Sequence, residues 1–258
     1  MQSLRWEIEV SFLGPVELHG VARPFRRPWA LELVTYLVAH REGASTEQWV
    51  AALWPDRAMA AATVHSISSE ARRALGCSRL GVDHLPRAHG RLRLGNTVGS
   101  DWSRFGELSR RDDPGSWHRA LRLVRGRPFD GLRTPDWPVL DGFQAEIETS
   151  IADLAERAAL AHLGAGNGRE AVDLLRTALL GCADERLYRL LLRALDAVGD
   201  RLGLEGVMEE LAFRSGSGDS WTARRGAQDR YQGTVHRQTL DLYRELSIGG
   251  RQLGAGSR

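Results

Sequence analysis

The sequence contains no lysine, because all 35 of its basic side chains are arginine. A strong preference for arginine is typical of GC-rich coding genomes, so the number of arginines alone does not indicate nucleic-acid binding. Only two cysteines are present, Cys77 and Cys182, and they have no CxxC partner. Neither a zinc site nor a disulfide framework is therefore predicted.

Long hydrophobic segments are also missing. No apolar run approaches the roughly 18 residues that a membrane helix needs, and the N-terminal MQSLRWEIEV lacks the basic and apolar regions of a signal peptide. The chain of 258 residues with 42% hydrophobic residues is long enough for two globular domains. We expect a cytoplasmic protein with no membrane segment.

Motifs for catalysis are equally scarce. The GAGNG at residues 164–168 has neither the preceding strand nor the spacing of a nucleotide-binding loop. The eight histidines show no metal-ligand spacing, and no Ser, His and acid set can be placed together. The sequence therefore predicts no enzyme, no cofactor and no metal site.

The first hundred residues have the pattern of a winged helix preceded by a small sheet. Alternating apolar residues predict a half-buried strand over Trp6–Gly14, followed by a second short strand and a third around Phe25. A helix is predicted from Pro28 to Gly43, and Ser45 or Thr46 caps a second helix that stops at Pro55. After a third helix, HLPRAHGRLRLG predicts a hairpin that turns at His89-Gly90.

The third helix, ATVHSISSEARRALG over Ala62–Gly76, has two different faces. At 100° per residue its apolar side chains form one stripe, which must be buried. The members of this stripe are Val64, Ile67, Ala71 and Leu75. The opposite face carries Ala62, His65, Ser66, Ser69 and Arg73, with Arg72 on its flank. Such a face can enter a DNA groove, although many ordinary surface helices carry similar side chains.

Positive charge is concentrated near this helix. Residues 1–99 hold 12 arginines against 9 acidic residues, whereas residues 100–258 hold 23 against 24. Within residues 60–99 the count is 6 against 2, a local excess of +4 that is larger than the +2 of the whole chain. A local basic zone is the electrostatic pattern expected of a DNA-binding segment.

From Asp101 onward nearly every segment predicts a helix. Gly164 and Gly199 lie 35 residues apart, as do Ala171 and Gly206, and this spacing is close to that of helix-pair repeats. Small residues at matched turn and packing positions favour a tetratricopeptide-like stack, with unrelated antiparallel helices as the alternative. Residues 215–233 predict a loop, and a last helix follows it. We expect a winged helix over residues 1–98, a helical domain over 99–248 and a disordered tail over 249–258.

Several blocks of the sequence together resemble the bacterial transcriptional activator domain proteins of the antibiotic-regulatory-protein type. These blocks are FLGPVELHG, ALWPD, SISSEARRALG, DWSRFGEL, ALRLVRGRPFDGL and DERLYRLLLRALDAVGD, in the order of that family. The resemblance covers roughly residues 8–247. It implies a mainly α protein, in which a response-regulator-like winged helix precedes a tetratricopeptide-like helical domain.

The resemblance implies a transcriptional activator that binds double-stranded promoter DNA, often as a pair of molecules on direct repeats, and recruits RNA polymerase. On this sequence we expect His65, Ser66 and Ser69 to meet base edges, and Arg72 and Arg73 to hold phosphates or guanine edges. The predicted wing would add Arg87, His89 and Arg91, with an arginine near the minor groove.

A second interpretation stays open at this point. Both modules would mediate protein–protein contacts in a signalling adaptor that does not bind DNA. The resemblance also includes larger chains that end in these two modules, so the sequence is compatible with the C-terminal part of a longer protein.

Overall fold

The computed structural model describes residues 6–88, 90–134, 136–214 and 235–254. The chain forms two compact units: unit 1 is Met1–Arg111 with Leu123–Thr149, and unit 2 is Asp112–Arg122 with Ser150–Arg258. The strands are β1 (Ile8–Ser11), β2 (Glu17–His19), β3 (Ala44–Ser45), β4 (Arg87–Ala88), β5 (Arg91–Leu92) and β6 (Val98–Ser100). The helices are α1 (Pro28–Ala39), α2 (Thr46–Leu53), α3 (Ala61–Leu75), α4 (Asp101–Ser109), α5 (Pro114–Leu121), α6 (Asp136–Leu140), α7 (Phe143–Gly164), α8 (Gly168–Gly181), α9 (Glu185–Ala197), α10 (Arg201–Arg214) and α11 (Arg237–Gly254).

Strand β1 is the middle strand of the first sheet, antiparallel to β2 and parallel to β6. All four of its side chains are buried, whereas the sequence predicted a half-buried strand. Its polar Glu9 is buried because it forms an ion pair with Arg104 of α4. The third strand predicted around Phe25 was wrong. The residues just before Phe25 are held by α3 instead. The amides of Ala22 and Arg23 both donate to the carbonyl of Ala74 near the end of that helix, so this segment adds no strand to the sheet.

Helices α1, α2 and α3 and the second sheet form the winged helix. The predicted start of α1 at Pro28 is confirmed. Ser45 caps α2 in a reciprocal arrangement: its hydroxyl accepts from the amide of Gln48, and the Gln48 side chain accepts from the Ser45 amide. The wing is an antiparallel sheet in the order β3-β5-β4, and Gly90, with φ +76°, turns the β4–β5 hairpin.

Unit 1 does not stop at residue 98, where the sequence placed a domain boundary. Helix α4 and residues 123–149 belong to it. The carboxylate of Asp101 accepts the amides of Phe12 and Leu13 just after β1, at 2.9–3.0 Å. The Phe129 amide donates to the Phe12 carbonyl, and the two rings stack with centroids 4.8 Å apart. These bonds attach distant segments to the end of β1, and no local sequence pattern reports them.

Unit 2 consists of α5, the part of α7 from residue 150, and α8 to α11. The turns after α7 and α9 are alike, because Gly166 and Gly199, 33 residues apart, both have a left-handed φ near +75°. In each turn the next amide reaches back five residues, from Asn167 to the His162 carbonyl and from Asp200 to the Leu195 carbonyl. This is the Schellman arrangement that ends helices at glycine. The pairs α7–α8 and α9–α10 therefore repeat one local motif.

The glycines that actually permit close packing are not those predicted. An added Cβ would meet no heavy atom within 4 Å at Gly164 or Gly206. At Gly168, in contrast, it would lie 2.7 Å from the Val198 side chain, so the close approach occurs at the start of α8.

The end of the chain also differs from the expectation. Helix α11 continues to Gly254, so residues 249–254 are helical although the sequence placed them in a disordered tail. No proline interrupts this stretch. Residues 255–258 and the whole loop predicted over 215–233 lie outside the described residues. None of the described helices is long and apolar enough to cross a membrane.

Candidate nucleic-acid interface

Helix α3 turns an apolar stripe inward, as its periodicity predicted. Ile67, Ala71 and Leu75 are at most 1% exposed, and Val64 is half-buried. Two of the residues predicted to meet base edges, Ser66 and Ser69, lie half-buried on the outer side of the helix, and their hydroxyls make no hydrogen bond within the described part of the chain. A serine hydroxyl in this state is available as both donor and acceptor.

One flank of α3 forms a groove with α2 and the wing, which we call the α2–α3 groove. It encloses about 470 Å³. Its lining residues are Thr46, Glu47, Trp49, Val50, Met59, Ala61, Val64, His65, Ser68, Arg72, Arg87 and Leu92. The floor is apolar, since Trp49 and Leu92 are buried beneath it. The groove gathers three of the predicted site residues, His65, Arg72 and Arg87.

The two arginines of the groove are held differently. The Nε of Arg72 donates to the carbonyl of Leu85 at 3.2 Å, so the chain just before the wing fixes the orientation of this guanidinium. Arg87 is exposed and forms no ion pair with any described residue. An oriented guanidinium next to a free one provides several donors for an anion without the loss of an existing ion pair.

Arg73, on the outer face of α3, is tethered to its own helix. Its Nε donates to the Ser69 carbonyl at 3.3 Å, and its Nη2 lies 3.5 Å from the buried carboxylate of Glu70. The side chain of Arg73 is nevertheless 58% exposed. These weak contacts keep the guanidinium close to the helix surface.

Sequence reasoning missed the arginines that precede α1. The second oxygen of Glu70 accepts the amide of Arg26 at 3.1 Å, and the Nε of Arg23 donates to the Arg73 carbonyl. These bonds place the exposed Arg26 and Arg27 beside the outer face of α3. The run RPFRRP was a visible basic signal, but its position next to α3 depends on contacts 44 and 50 residues apart in sequence.

Arg91 does not join the other predicted residues. In the β4–β5 hairpin, Arg87 pairs with Leu92 and therefore shares its face, whereas Arg91 pairs with Ala88 and extends from the opposite face. The Nη2 of Arg91 donates to the Gly43 carbonyl at 2.6 Å. Burial and the charge of Asp141 raise the pKa of Tyr36 in α1, and the charge of Arg91 acts against this shift. His89, the remaining predicted wing residue, lies outside the described residues.

No cluster of three or more metal-ligating side chains occurs in the part of the chain that the structure describes. Cys182 is buried, and Cys77 is exposed, with its thiol 3.2 Å from a carboxylate oxygen of Asp83. The hydrogen bond to this carboxylate is the main reason that the pKa of the Cys77 thiol is raised, which disfavours the nucleophilic thiolate.

The comparisons with known proteins identify a fold. No protein-family model matches the chain, and no curated protein matches it. Among solved structures it is similar to Mycobacterium tuberculosis EmbR in complex with a low-affinity phosphopeptide. The two are 19% identical, the match covers 96% of this chain and 71% of the EmbR chain, and the TM-score is 0.58. The protein therefore has an EmbR-like fold, mainly helical, with a small sheet and winged helix before a helical domain.

Proposed function

We propose that the protein is a transcriptional regulator that binds double-stranded DNA through its winged helix. The observation that carries this proposal is the basic surface around α3. Arg72 and Arg87 border the α2–α3 groove, Arg73 and Arg26 border the outer face, and the nearest acid on that face, Glu70, is buried. In helix-turn-helix proteins the recognition helix enters the major groove, and basic groups around it hold the phosphates.

The fold supports this role, because a winged helix presents a recognition helix that can enter the major groove of DNA. On this proposal residues 1–98 contain the DNA-reading surface, with His65, Ser66 and Ser69 toward base edges. The helical unit 2 binds a second copy of the chain or RNA polymerase, and the protein acts as an activator in the bacterial cytoplasm. About five phosphate contacts per molecule give a slope of about −4 to −5 in log K against log salt concentration. Useful affinity at physiological salt then requires two molecules on repeated half-sites.

The test is selection from a pool of labelled genomic DNA fragments at several salt concentrations. The full chain is compared with the triple variant Arg72→Gln, Arg73→Gln and Arg87→Gln, and with Arg110→Gln as a control that removes an exposed arginine at the end of α4. We expect salt-dependent enrichment of a few fragments by the parent and the control, and a salt slope smaller by about 3 in the triple variant. Equal binding by all three proteins would refute the assignment of the α3 surface.

A signalling adaptor is the second candidate, favoured by apolar side chains exposed on unit 2. Leu180 of α8 is 54% exposed, and Leu202 and Phe213 of α10 are 82% and 71% exposed. Exposed apolar side chains that share an element often mark protein-binding surfaces. If the chain binds no DNA fragment at low salt, but Leu202→Ser with Phe213→Ser abolishes capture of a defined bacterial partner, the adaptor function replaces the regulator.

A further inference from the structure

We propose that the α2–α3 groove is a binding site for a small organic carboxylate with an apolar body, such as an aromatic acid. We further propose that this ligand competes with DNA. The binding site stands on the geometry of unit 1 alone, whereas the competition rests on the proposed function.

The dimensions of the groove suit a small molecule. Its volume of about 470 Å³ lies within the roughly 300–1,000 Å³ of typical ligand sites. The Trp49 ring and Leu92 are buried beneath the surface, and the half-buried Val50 and Val64 line the sides. A flat apolar body placed here would remove apolar surface from water on both partners, which is the main source of affinity in such sites.

The polar rim selects the charge of the ligand. Arg72 and Arg87 both line the groove, and His65 lies beside them, whereas Glu47 is the one acid among the lining residues. Glu47 is already engaged, because its Oε2 accepts from the Ser45 hydroxyl at 2.9 Å. The bond from Arg72 Nε to the Leu85 carbonyl leaves the two terminal nitrogens of this guanidinium for a ligand. The groove therefore complements an anionic head group, and a carboxylate matches the planar fork of arginine.

The groove overlaps the proposed base-reading face of α3 only at His65. Ser66, Ser69 and Arg73 are on the outer side of the helix, whereas the groove contains His65, Arg72 and Arg87. A bound carboxylate would neutralise the two guanidiniums that the proposed function assigns to DNA phosphates. Because coupling between two ligands is reciprocal, DNA would weaken the binding of the carboxylate by the same factor.

The test uses 2-naphthoate and its uncharged isostere 2-naphthamide with the full chain. Calorimetry measures affinity, and the indole N–H signal of Trp49 in a ¹H–¹⁵N spectrum, assigned with Trp49→Phe, locates the site. We expect naphthoate to bind at least fivefold more tightly than the amide and to shift the Trp49 signal. Arg72→Gln and Arg87→Gln should each weaken naphthoate binding about fivefold without affecting the amide, and Arg110→Gln should change neither.

A second variant does not depend on charge. Val50→Phe adds bulk to the half-buried wall of the groove, so it should weaken naphthoate and naphthamide alike while the chain stays folded by circular dichroism. Three results would each overturn the proposed site. They are equal affinity for the acid and the amide, no binding of naphthoate up to about 5 mM, and binding of naphthoate that leaves the indole N–H signal of Trp49 unchanged.

Competition is measured on the enriched DNA fragment by fluorescence anisotropy. We expect saturating naphthoate to weaken DNA binding at least fivefold in the parent and less than twofold in the double variant Arg72→Gln, Arg87→Gln. If the chain binds DNA and naphthoate together without interference, the competition is refuted and the regulator function stands. If naphthoate binds as expected but no DNA fragment binds, the regulator function is refuted and the ligand site stands.

Discussion

Glu70 offers the sharpest test of how unit 1 builds its basic surface. Its side chain is 6% exposed, one oxygen accepts the Arg26 amide at 3.1 Å, and the other lies 3.5 Å from Arg73. Glu70→Gln keeps an acceptor for Arg26 but loses the ion pair with a largely exposed arginine, which costs about 1 kcal/mol or less. Glu70→Ala also leaves the Arg26 amide without its acceptor, for a further cost of about 1–3 kcal/mol.

Glu70→Gln also removes a negative charge from beneath the proposed DNA surface. A carboxylate about 8 Å from a phosphate in high dielectric repels it by about 0.5 kcal/mol, so its removal should tighten DNA binding roughly twofold at low salt. Glu205→Gln, on an exposed position of α10 in unit 2, changes the net charge equally and should leave affinity unchanged.

Urea unfolding measures the stabilities, and anisotropy with the selected DNA fragment measures affinity at 50 and 500 mM salt. We expect the order of stability parent, Glu70→Gln, Glu70→Ala, and a gain in affinity for Glu70→Gln that disappears at high salt. Equal unfolding midpoints for Glu70→Ala and the parent would refute the reasoning, because the bond to Arg26 would then contribute nothing.

Three further predictions concern other residues of unit 1. Arg91→Gln should leave DNA affinity and its salt slope unchanged, whereas Arg87→Gln should reduce the slope by about 1; the reverse result in salt titrations would show that the wing presents its other face. Burial raises the pKa of Asp101 from 3.8 to about 6 in spite of its backbone donors, so the folded state binds this proton more tightly. The stability from this group is therefore present below pH 4 and is lost as the pH rises through 6, by up to about 3 kcal/mol, and urea unfolding of Asp101→Asn should lack this loss. The Trp137 indole N–H is buried with no acceptor among the described residues, so Trp137→Phe should cost less than about 1.5 kcal/mol and Trp137→Ala about 3–5 kcal/mol; a phenylalanine as costly as alanine would contradict this.

The elements that the sequence predicted well are those with local signals. Pro28 at the start of α1 and the Ser45 cap of α2 act within one turn of helix, and the 100° periodicity of α3 identified its buried side. The pairing of β1 with β6 and the addition of residues 123–149 to unit 1 were not predictable in this way. They depend on contacts such as that between Asp101 and Phe12, which are 89 residues apart and leave no periodic pattern.

The candidate site likewise contains residues whose placement the sequence could predict and residues whose placement it could not. The outer face of α3 follows from helical geometry, so Ser66, Ser69 and Arg73 lie on one side, as expected. The wing strands have only two residues each, and a register shift of one residue exchanges Arg87 and Arg91 between the two faces of the sheet. Periodicity cannot decide such a short strand, because both registers fit the alternation equally well.

In a chain without lysine, counting arginines overstates the number available to a ligand. The arginines near α3 differ in the hydrogen bonds and ion pairs that their guanidiniums already form. Arg91 donates to a backbone carbonyl at 2.6 Å, Arg73 contacts its own helix and Glu70, Arg72 uses one nitrogen, and Arg87 has no described partner. An anion gains most from the guanidinium that gives up least, because each existing bond must be broken or shared. The contribution to the binding of DNA phosphates should therefore decrease in the order Arg87, Arg72, Arg73, Arg91.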